Sequence, residues 1–259
     1  MTTVLITGST DGIGLRTAQT LRARGCDIIV HGRNAEKVDR TRAQVGAVAG
    51  LVADLGDLRQ VQRLADQAAE LHPDVLINNA GIYARERVQA PSGEATWVVN
   101  HLAASLLADM LIPTMTSGGR VVYVSSIAHG RGEIDLDDPE FRHRPYDHYA
   151  AYAQSKLANL LMAQETARRL GPGAAVSVNA LHPGVVGTKL LTEGFQVDGR
   201  DDLDQGCATS VYLAVDAPAD ITGQYFVRSK PAAVQGRARD TALAAGLYDL
   251  TMETLEERT

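Results

Sequence analysis

Short β-branched and aliphatic runs alternate along this chain with longer stretches whose apolar positions recur at helical spacing. The runs Val4–Thr7, Asp27–His31, Gly50–Ala53, Val75–Asn78, Arg120–Ser125, Val176–Ala180 and Gln224–Val227 read as strands. Most are apolar throughout, the pattern of strands covered on both faces. Helices are predicted between them, over Gly12–Arg24, Asn34–Val45, Asp57–Leu71, Gly93–Thr114, Tyr149–Leu170, Leu203–Val215 and Arg237–Leu255. Asn34 and Asp57, each ahead of a helical run, have the chemistry of N-caps. Strand and helix joined by short connections imply right-handed βαβ units. The expected fold class is therefore α/β. It is a single domain over 1–259, a doubly wound parallel sheet of about seven strands with helices on both faces.

Two segments interrupt the alternation. Residues 127–148 form a polar, proline-containing insert ahead of the Tyr149 helix, and 189–204 form a Gly- and Asp-rich stretch after His182-Pro183-Gly184. Both follow strand C-terminal ends, where ligands bind in open α/β sheets. Long segments at such places form lids and rims, so 127–148 is expected to edge a substrate site and 189–204 to cover it.

Composition narrows the function classes. Apolar residues make up 45% and charged residues 22%, values of a globular protein with a sizeable core. A net charge of −6 argues against nucleic acid or an anionic membrane as a general partner. Cys26 and Cys207 have neither metal-ligand spacing nor the number for a disulfide framework, which points to a reducing, cytoplasmic setting. No signal peptide is visible, and no uninterrupted apolar run approaches the ~20 residues of a membrane helix.

Two clusters carry candidate chemistry. Thr7-Gly8-Ser9-Thr10-Asp11-Gly12-Ile13-Gly14 follows the first strand and opens the first helix. Glycines there permit a tight turn and close backbone approach, and a helix N-terminus favours a negative pyrophosphate. Tyr152 and Lys156, four apart, share one face of a predicted helix. A free phenol with a pKa near ~10 is a poor proton donor or acceptor at neutral pH. A neighbouring ammonium lowers that pKa and makes the oxygen a usable general acid or base.

Together with Asp54-Leu55, Asn78-Asn79-Ala80-Gly81, Asn100, Ser125-Ser126, and Pro183-Gly184 followed by Thr188, these motifs make nearly the whole chain resemble the short-chain dehydrogenase/reductase family. The resemblance implies a Rossmann-like oxidoreductase. It gives Asp54 to the adenine amino group, Leu55 to the cofactor site, and Asn79, Ala80 and Gly81 to the cofactor ribose. Pro183, Gly184 and Thr188 would close over the nicotinamide. Tyr152 would be the proton donor to a carbonyl. Lys156 would lower the Tyr152 pKa and hold the nicotinamide ribose, Ser126 would steady the substrate oxygen, and Asn100 would complete a proton relay. On the residues alone, Asp54 also reads as a loop acid and Asn78 or Asn79 as turn residues.

The end of the second strand selects the cofactor. An acid there binds the ribose 2′-hydroxyl of NAD, whereas Arg accommodates the 2′-phosphate of NADP. The strand ends His31-Gly32-Arg33-Asn34, so NADP(H) is expected, with Arg33 and Asn34 at its adenosine end. Asp11 runs against this, since many NADP-dependent relatives carry a basic residue inside the glycine loop. Arg16 reads as a solvated helix position or a compensating cation.

Within the family, Ser125-Ser126-Ile127-Ala128-His129, the long segment before Tyr152, and Gly206-Cys207-Ala208-Thr209 are similar to the retinol dehydrogenases, the WW-domain oxidoreductase and light-dependent protochlorophyllide reductase. That subgroup implies a medium-to-large apolar or polycyclic ketone, aldehyde or alcohol. A catalytically silent NADP-binding regulatory or scaffold protein on the same fold is the alternative. A nucleotide-sugar epimerase or dehydratase is disfavoured by the glycine spacing. His129, His143 and His148 read as surface histidines and Asp198, Asp201, Asp202 and Asp204 as a solvated loop. The resemblance implies a homodimer or homotetramer, and the long insert leaves a monomer open. Substrate identity, direction and stereochemistry are not written in the sequence.

Overall fold

The computed structural model describes all residues, Met1–Thr259. In chain order, β1 (Thr3–Ile6), α1 (Gly12–Ala23), β2 (Asp27–Gly32), α2 (Ala35–Val45), β3 (Ala49–Val52), α3 (Leu58–Ala69) and β4 (Val75–Asn78) form the first half. A two-residue ribbon, β5 (Gln89–Ala90) with β6 (Gly93–Glu94), leads into α4 (Ala95–Trp97). A π-helical segment, Val98–Leu102, joins α4 to α5 (Ala103–Leu111). Then come β7 (Gly119–Val124), α6 (His148–Leu170), β8 (Val176–His182), α7 (Leu203–Val211), β9 (Tyr225–Val227), β10 (Lys230–Pro231) and α8 (Thr241–Arg258).

The main sheet runs β10-β9-β8-β7-β4-β1-β2-β3 and is parallel except for β10, so it has eight strands where seven runs are legible. The eighth is a two-residue exposed return of β9, too short and polar to leave a hydrophobic pattern. Strand side chains alternate between two cores: Leu5 and Ile29 face α3, α5, α6 and α8, while Val4, Ile6, Ile28 and Val30 face α1, α2 and α7. That explains why the strands are apolar on both faces. The strand order reverses between β1 and β4, which opens the crevice where such folds bind ligands.

Three expectations need correction. The predicted Gly93–Thr114 helix begins at Ala95, because the Glu94 carboxylate accepts from the amides of Thr96 and Trp97 and caps it there. The Ala95–Thr114 stretch does have the length and hydropathy of a membrane span, but 78% of its apolar window is buried inside this fold, where it packs against α3. The third concerns the 127–148 insert. Its middle does not edge the substrate site but lies along α6 and α8.

The cause is a buried carboxylate. Glu140, 3% exposed, accepts from the Glu94 amide at 2.8 Å and from the Arg258 guanidinium at 2.7 Å. Arg258 also donates to the Ser92 carbonyl, so the last turn of α8 ties the insert to the start of α4. Leaving such a buried charge unpaired costs several kcal/mol. Gln154 of α6 adds a bond to the Pro139 carbonyl. One side of α6 is thus covered by this chain's own α8.

Candidate active site

The glycine loop is built by polar contacts between strand ends. The Thr7 hydroxyl accepts from the amides of Asn79 and Ala80, each at 3.0 Å. The Asn79 side-chain amide donates to the carbonyls of Thr7 and Gly8, at 2.8 and 3.3 Å. Gly14 sits against the Gly8 carbonyl and the Asn79 amide, so closely that any Cβ there would overlap both. Asn79 therefore holds the loop through its side chain, while Asn78, buried, donates to the Ala104 carbonyl.

His31, invisible as a site residue in the sequence, completes this frame. Its ring is 2% exposed. Nε2 lies 3.2 Å from the Ala53 carbonyl, which can only accept, so Nε2 carries the proton. Nδ1 is then bare and accepts from the Gly8 amide at 3.2 Å. Both bonds require neutral imidazole, and burial pulls its pKa down to about 4. A lone histidine in an apolar strand was the available signal.

These elements enclose a cavity of about 1430 Å³ lined by Gly8, Thr10, Gly12, Ile13, Gly14, Arg33, Asp54, Leu55, Ala80, Gly81 and Thr188, among others. Ser9 is instead fully buried, its hydroxyl accepting from the His31 amide at 2.9 Å. Asn34 caps α2 by accepting from the Lys37 amide, and Asp54 accepts from the Gly56 amide at 2.9 Å. Arg33 is exposed at the cavity's outer end. Gly32 beside it has no room for a side chain, since a Cβ would stand 2.7 Å from the Thr10 methyl. The acid that selects NAD at a strand end is therefore sterically opposed here.

Asp11 and Arg16 turn out to pair with residues of the 189–204 segment. The Asp11 carboxylate caps α1 through the Gly12 amide and pairs with Lys189 at 2.6 Å. Arg16 pairs with Asp204. The lid acids are not all solvated either. Asp201 accepts from the Val185 amide at 2.7 Å with its side chain 15% exposed, and Asp202 caps α7. Two ion pairs thus span from the glycine loop and α1 to residues 189–204.

The second cavity, about 220 Å³, adjoins the first and shares Ile13, Asn79, Gly81, Val186, Thr188 and Leu190 with it. Ser126, Tyr152, Lys156, Pro183 and Gly184 line it, with apolar walls from Ile127, Ala128, Tyr149, Leu191 and Phe195. Asp147 caps α6, which then delivers Tyr152 and Lys156 on one face. The Ser125 hydroxyl donates to the Lys156 carbonyl at 2.6 Å, anchoring α6 to β7. Ser126 is left partly exposed beside Tyr152, its oxygen accepting from the Ala128 amide at 3.2 Å. With a lone pair so engaged, the Ser126 proton is free to point into the cavity.

Asn100 sits in the π segment of the α4–α5 helix, a local distortion frequent at functional sites. Its amide donates to the Ile82 carbonyl and the Ser155 hydroxyl, and its oxygen accepts from the Ile82 amide. Asn100 and Lys156 come together over Gly81, at 3.5 and 3.3 Å from where a Cβ would lie.

The electrostatics differ from the sequence expectation. Burial pushes the Tyr152 phenol up to about 12, against a downward pull from the Ser126 hydroxyl. Burial also brings Lys156 down to about 8. Lys156 Nζ stands 5.5 Å from the Tyr152 ring centre and donates to the Val124 carbonyl at 3.0 Å. Desolvation therefore dominates at Tyr152, and the Ser126 hydroxyl pulls the other way.

Residues 2–197 match a known family model described as short chain dehydrogenase. The chain belongs to the short-chain dehydrogenase family. Human retinol dehydrogenase 13 is 35% identical over 95% of this chain and 82% of its own length. A Streptomyces sp. protein assigned as a daunorubicin C-13 ketoreductase is 36% identical over 95% of this chain and 90% of its own. A solved Burkholderia cenocepacia short chain dehydrogenase in complex with NADP superposes with a TM-score of 0.71 at 26% identity, over 92% of this chain and 98% of that one. The chain is accordingly an oxidoreductase of the retinol-dehydrogenase-like branch.

Within this dehydrogenase the lid carries contacts that the motifs did not announce. Phe195 stacks on Tyr83 at 4.0 Å and meets the Tyr152 ring edge-on at 5.0 Å. Tyr83 also bonds His148, at the first residue of α6. His129, read as a surface histidine, is 2% exposed and lies under the Ser126 turn. An aromatic soon after Asn79-Ala80-Gly81 was the only hint of Tyr83.

Proposed function

We propose that this dehydrogenase uses NADPH to reduce a ketone or aldehyde on a medium-to-large apolar or polycyclic molecule, reversibly oxidising the alcohol. The observation carrying this reading is the convergence of Ser126, Tyr152 and Lys156 on a small cavity continuous with the one beneath the glycine loop. The larger cavity fits an NADP(H) molecule. It has a helix N-terminus and bare glycine backbone for the pyrophosphate, and Arg33 beside side-chain-free Gly32 for the 2′-phosphate. Bound there, the cofactor supplies the hydride.

The remaining steps belong to the chain's own residues. Ser126 donates a hydrogen bond to the carbonyl oxygen and stabilises charge as it builds there. Tyr152 gives that oxygen its proton, and a phenol with raised pKa stays protonated and ready as an acid. Lys156 and Asn100 return a proton from the Gly81 side, and Lys156 holds the cofactor ribose. Phe195, Leu190, Leu191 and Tyr149 exclude water and select an apolar body. In the closed arrangement about 220 Å³ suits the carbonyl-bearing portion of a substrate, and lifting of the 189–204 lid admits the rest. Retinol and daunorubicin, the molecules in the relatives' names, support bulk of that kind. Buried free Cys26 and Cys207 support a reducing cytoplasm, and the whole chain acting as one domain completes the reading.

The test is NADPH oxidation against a panel of aryl ketones, aldehydes and polycyclic quinones, with NADH in parallel. Turnover of bulky apolar carbonyls with preference for NADPH is expected. Tight NADPH binding with no turnover across the panel would move the protein to the regulatory or scaffold reading.

A further inference from the structure

The Ser126 turn is supported by a part of the chain far outside the matched family region. His129 stands in the short helical turn Ile127–Arg131, which begins directly after Ser126. Its Nδ1 lies 2.7 Å from the Ser126 carbonyl, and its backbone amide donates to the same oxygen at 3.1 Å. A carbonyl can only accept, so Nδ1 carries the proton. Nε2 is therefore an acceptor, and the Gln235 amide donates to it at 3.3 Å. The ring packs edge-on against Tyr225 of β9 at 4.8 Å. Burial favours the neutral ring that both bonds need.

We propose that His129, oriented by Gln235, is a positioning residue that sets the Ser126 hydroxyl for carbonyl reduction, so that chain beyond residue 197 helps assemble the active site. The proposal rests on the reading that Ser126 meets the substrate oxygen. The physical route is short. The two bonds to the Ser126 carbonyl hold its peptide plane, and the turn they close brings the Ala128 amide onto the Ser126 oxygen. That contact orients the hydroxyl proton toward the cavity and Tyr152. Gln235 is held in turn by the Gly236–Arg239 turn that follows it, where Arg237 pairs with Asp240 at 2.8 Å. Sequence spacing places Gln235 nowhere near Ser126; only the fold brings them together.

Three substitutions separate the two ring nitrogens. His129→Phe keeps the packing on Tyr225 and removes both bonds. His129→Asn keeps a donor at the Nδ1 position, and His129→Gln keeps an acceptor at the Nε2 position. With phenanthrenequinone as the carbonyl probe, His129→Phe is expected to lower kcat about tenfold to a hundredfold, the usual effect of misplacing a reacting group. NADPH affinity, read by fluorescence, should stay within about twofold. His129→Asn should recover most of the rate and His129→Gln little of it, a split that general loosening of the core would not produce. In the Ser126→Ala background, His129→Phe should add almost nothing, because the group it positions is gone.

A His129→Phe enzyme with wild-type kcat, or losses that add fully in the double variant, overturns the positioning role. If Ser126→Ala itself turns over at the wild-type rate, the reading of the site fails and the proposal with it. If His129→Phe does not fold, the Asn and Gln variants decide by their order alone.

Discussion

The cofactor cavity and the substrate cavity meet at Gly81 and Thr188, yet they are built in opposite ways. The first is framed by backbone and short side chains at the ends of β1, β2 and β4: Thr7, His31 and Asn79 hold the Gly8 turn through hydrogen bonds. It is large, and the hydrogen bonds that hold its Gly8 turn come from residues no further along the chain than Ala80. The second is closed by aromatic and aliphatic side chains from distant segments, with Phe195 of the lid resting on Tyr83 and Tyr152. One is walled by backbone and short polar groups at strand ends; the other is walled by large side chains far apart in the chain. At the rim of the larger one run two exposed ion pairs, Asp11 with Lys189 and Arg16 with Asp204. The lesson is that the larger cavity is framed by local contacts and the smaller one by long-range ones.

Removing the proton donor divides the two cavities most sharply. Tyr152→Phe should cut turnover by about 10²–10⁴-fold, the scale of general acid catalysis, while NADPH still binds. Binding lost together with turnover would mean that the halves are not separable. On the cofactor side, Arg33→Ala should weaken NADPH about tenfold, as loss of a charge-assisted contact does, and leave NADH nearly unchanged. The ratio of kcat/KM for the two cofactors reads this directly, and an unaltered ratio would remove Arg33 from the phosphate site.

Acid should strain both cavities at once, because each contains buried neutral histidine. Burial holds His31 and His182 near about 4, below the ordinary 6.5. Between those values the unfolded chain binds protons that the folded one refuses, so stability rises with pH across this window and falls as pH drops through it. Thermal melts should show Tm declining from neutral pH toward 4, with His31→Phe flattening part of the slope. A Tm independent of pH in that window would contradict the buried, neutral arrangement. The smallest effect belongs to the straps. Both partners of Asp11–Lys189 are well exposed, so Lys189→Ala should leave stability nearly unchanged. It should change the KM for substrate by at most a few-fold, with the difference vanishing at high salt. A large loss of NADPH affinity instead would make Lys189 a cofactor ligand.

Legibility in the sequence followed range of contact. The Gly8–Gly14 loop, the Tyr152–Lys156 pair and the parallel sheet could be read because each depends on spacing within one strand, turn or helix. The family resemblance pointed to Ser126, and the structure turns its neighbour Ser125 onto the Lys156 carbonyl. The middle of the insert was misread as part of a rim because its anchor, Glu140, meets Arg258 across the length of the chain. His129 was misread because nothing near it in sequence reveals Gln235 or Tyr225. Asp11 looked out of place in a phosphate loop, and its partner Lys189 is contributed by the lid.

By itself, then, the sequence determined the α/β alternation, the glycine loop at a helix N-terminus and the helical pairing of Tyr152 with Lys156. All three rest on periodicity and backbone freedom, which act over a few residues. The tertiary structure alone decided how deeply Tyr152 and Lys156 are buried, hence the direction in which each titrates. It also decided that Ser126 opposes the rise of the phenol, that Phe195 covers it, and that the C-terminal region reaches back to His129. Desolvation and packing depend on every segment that folds over a group, and spacing along the chain carries no record of them.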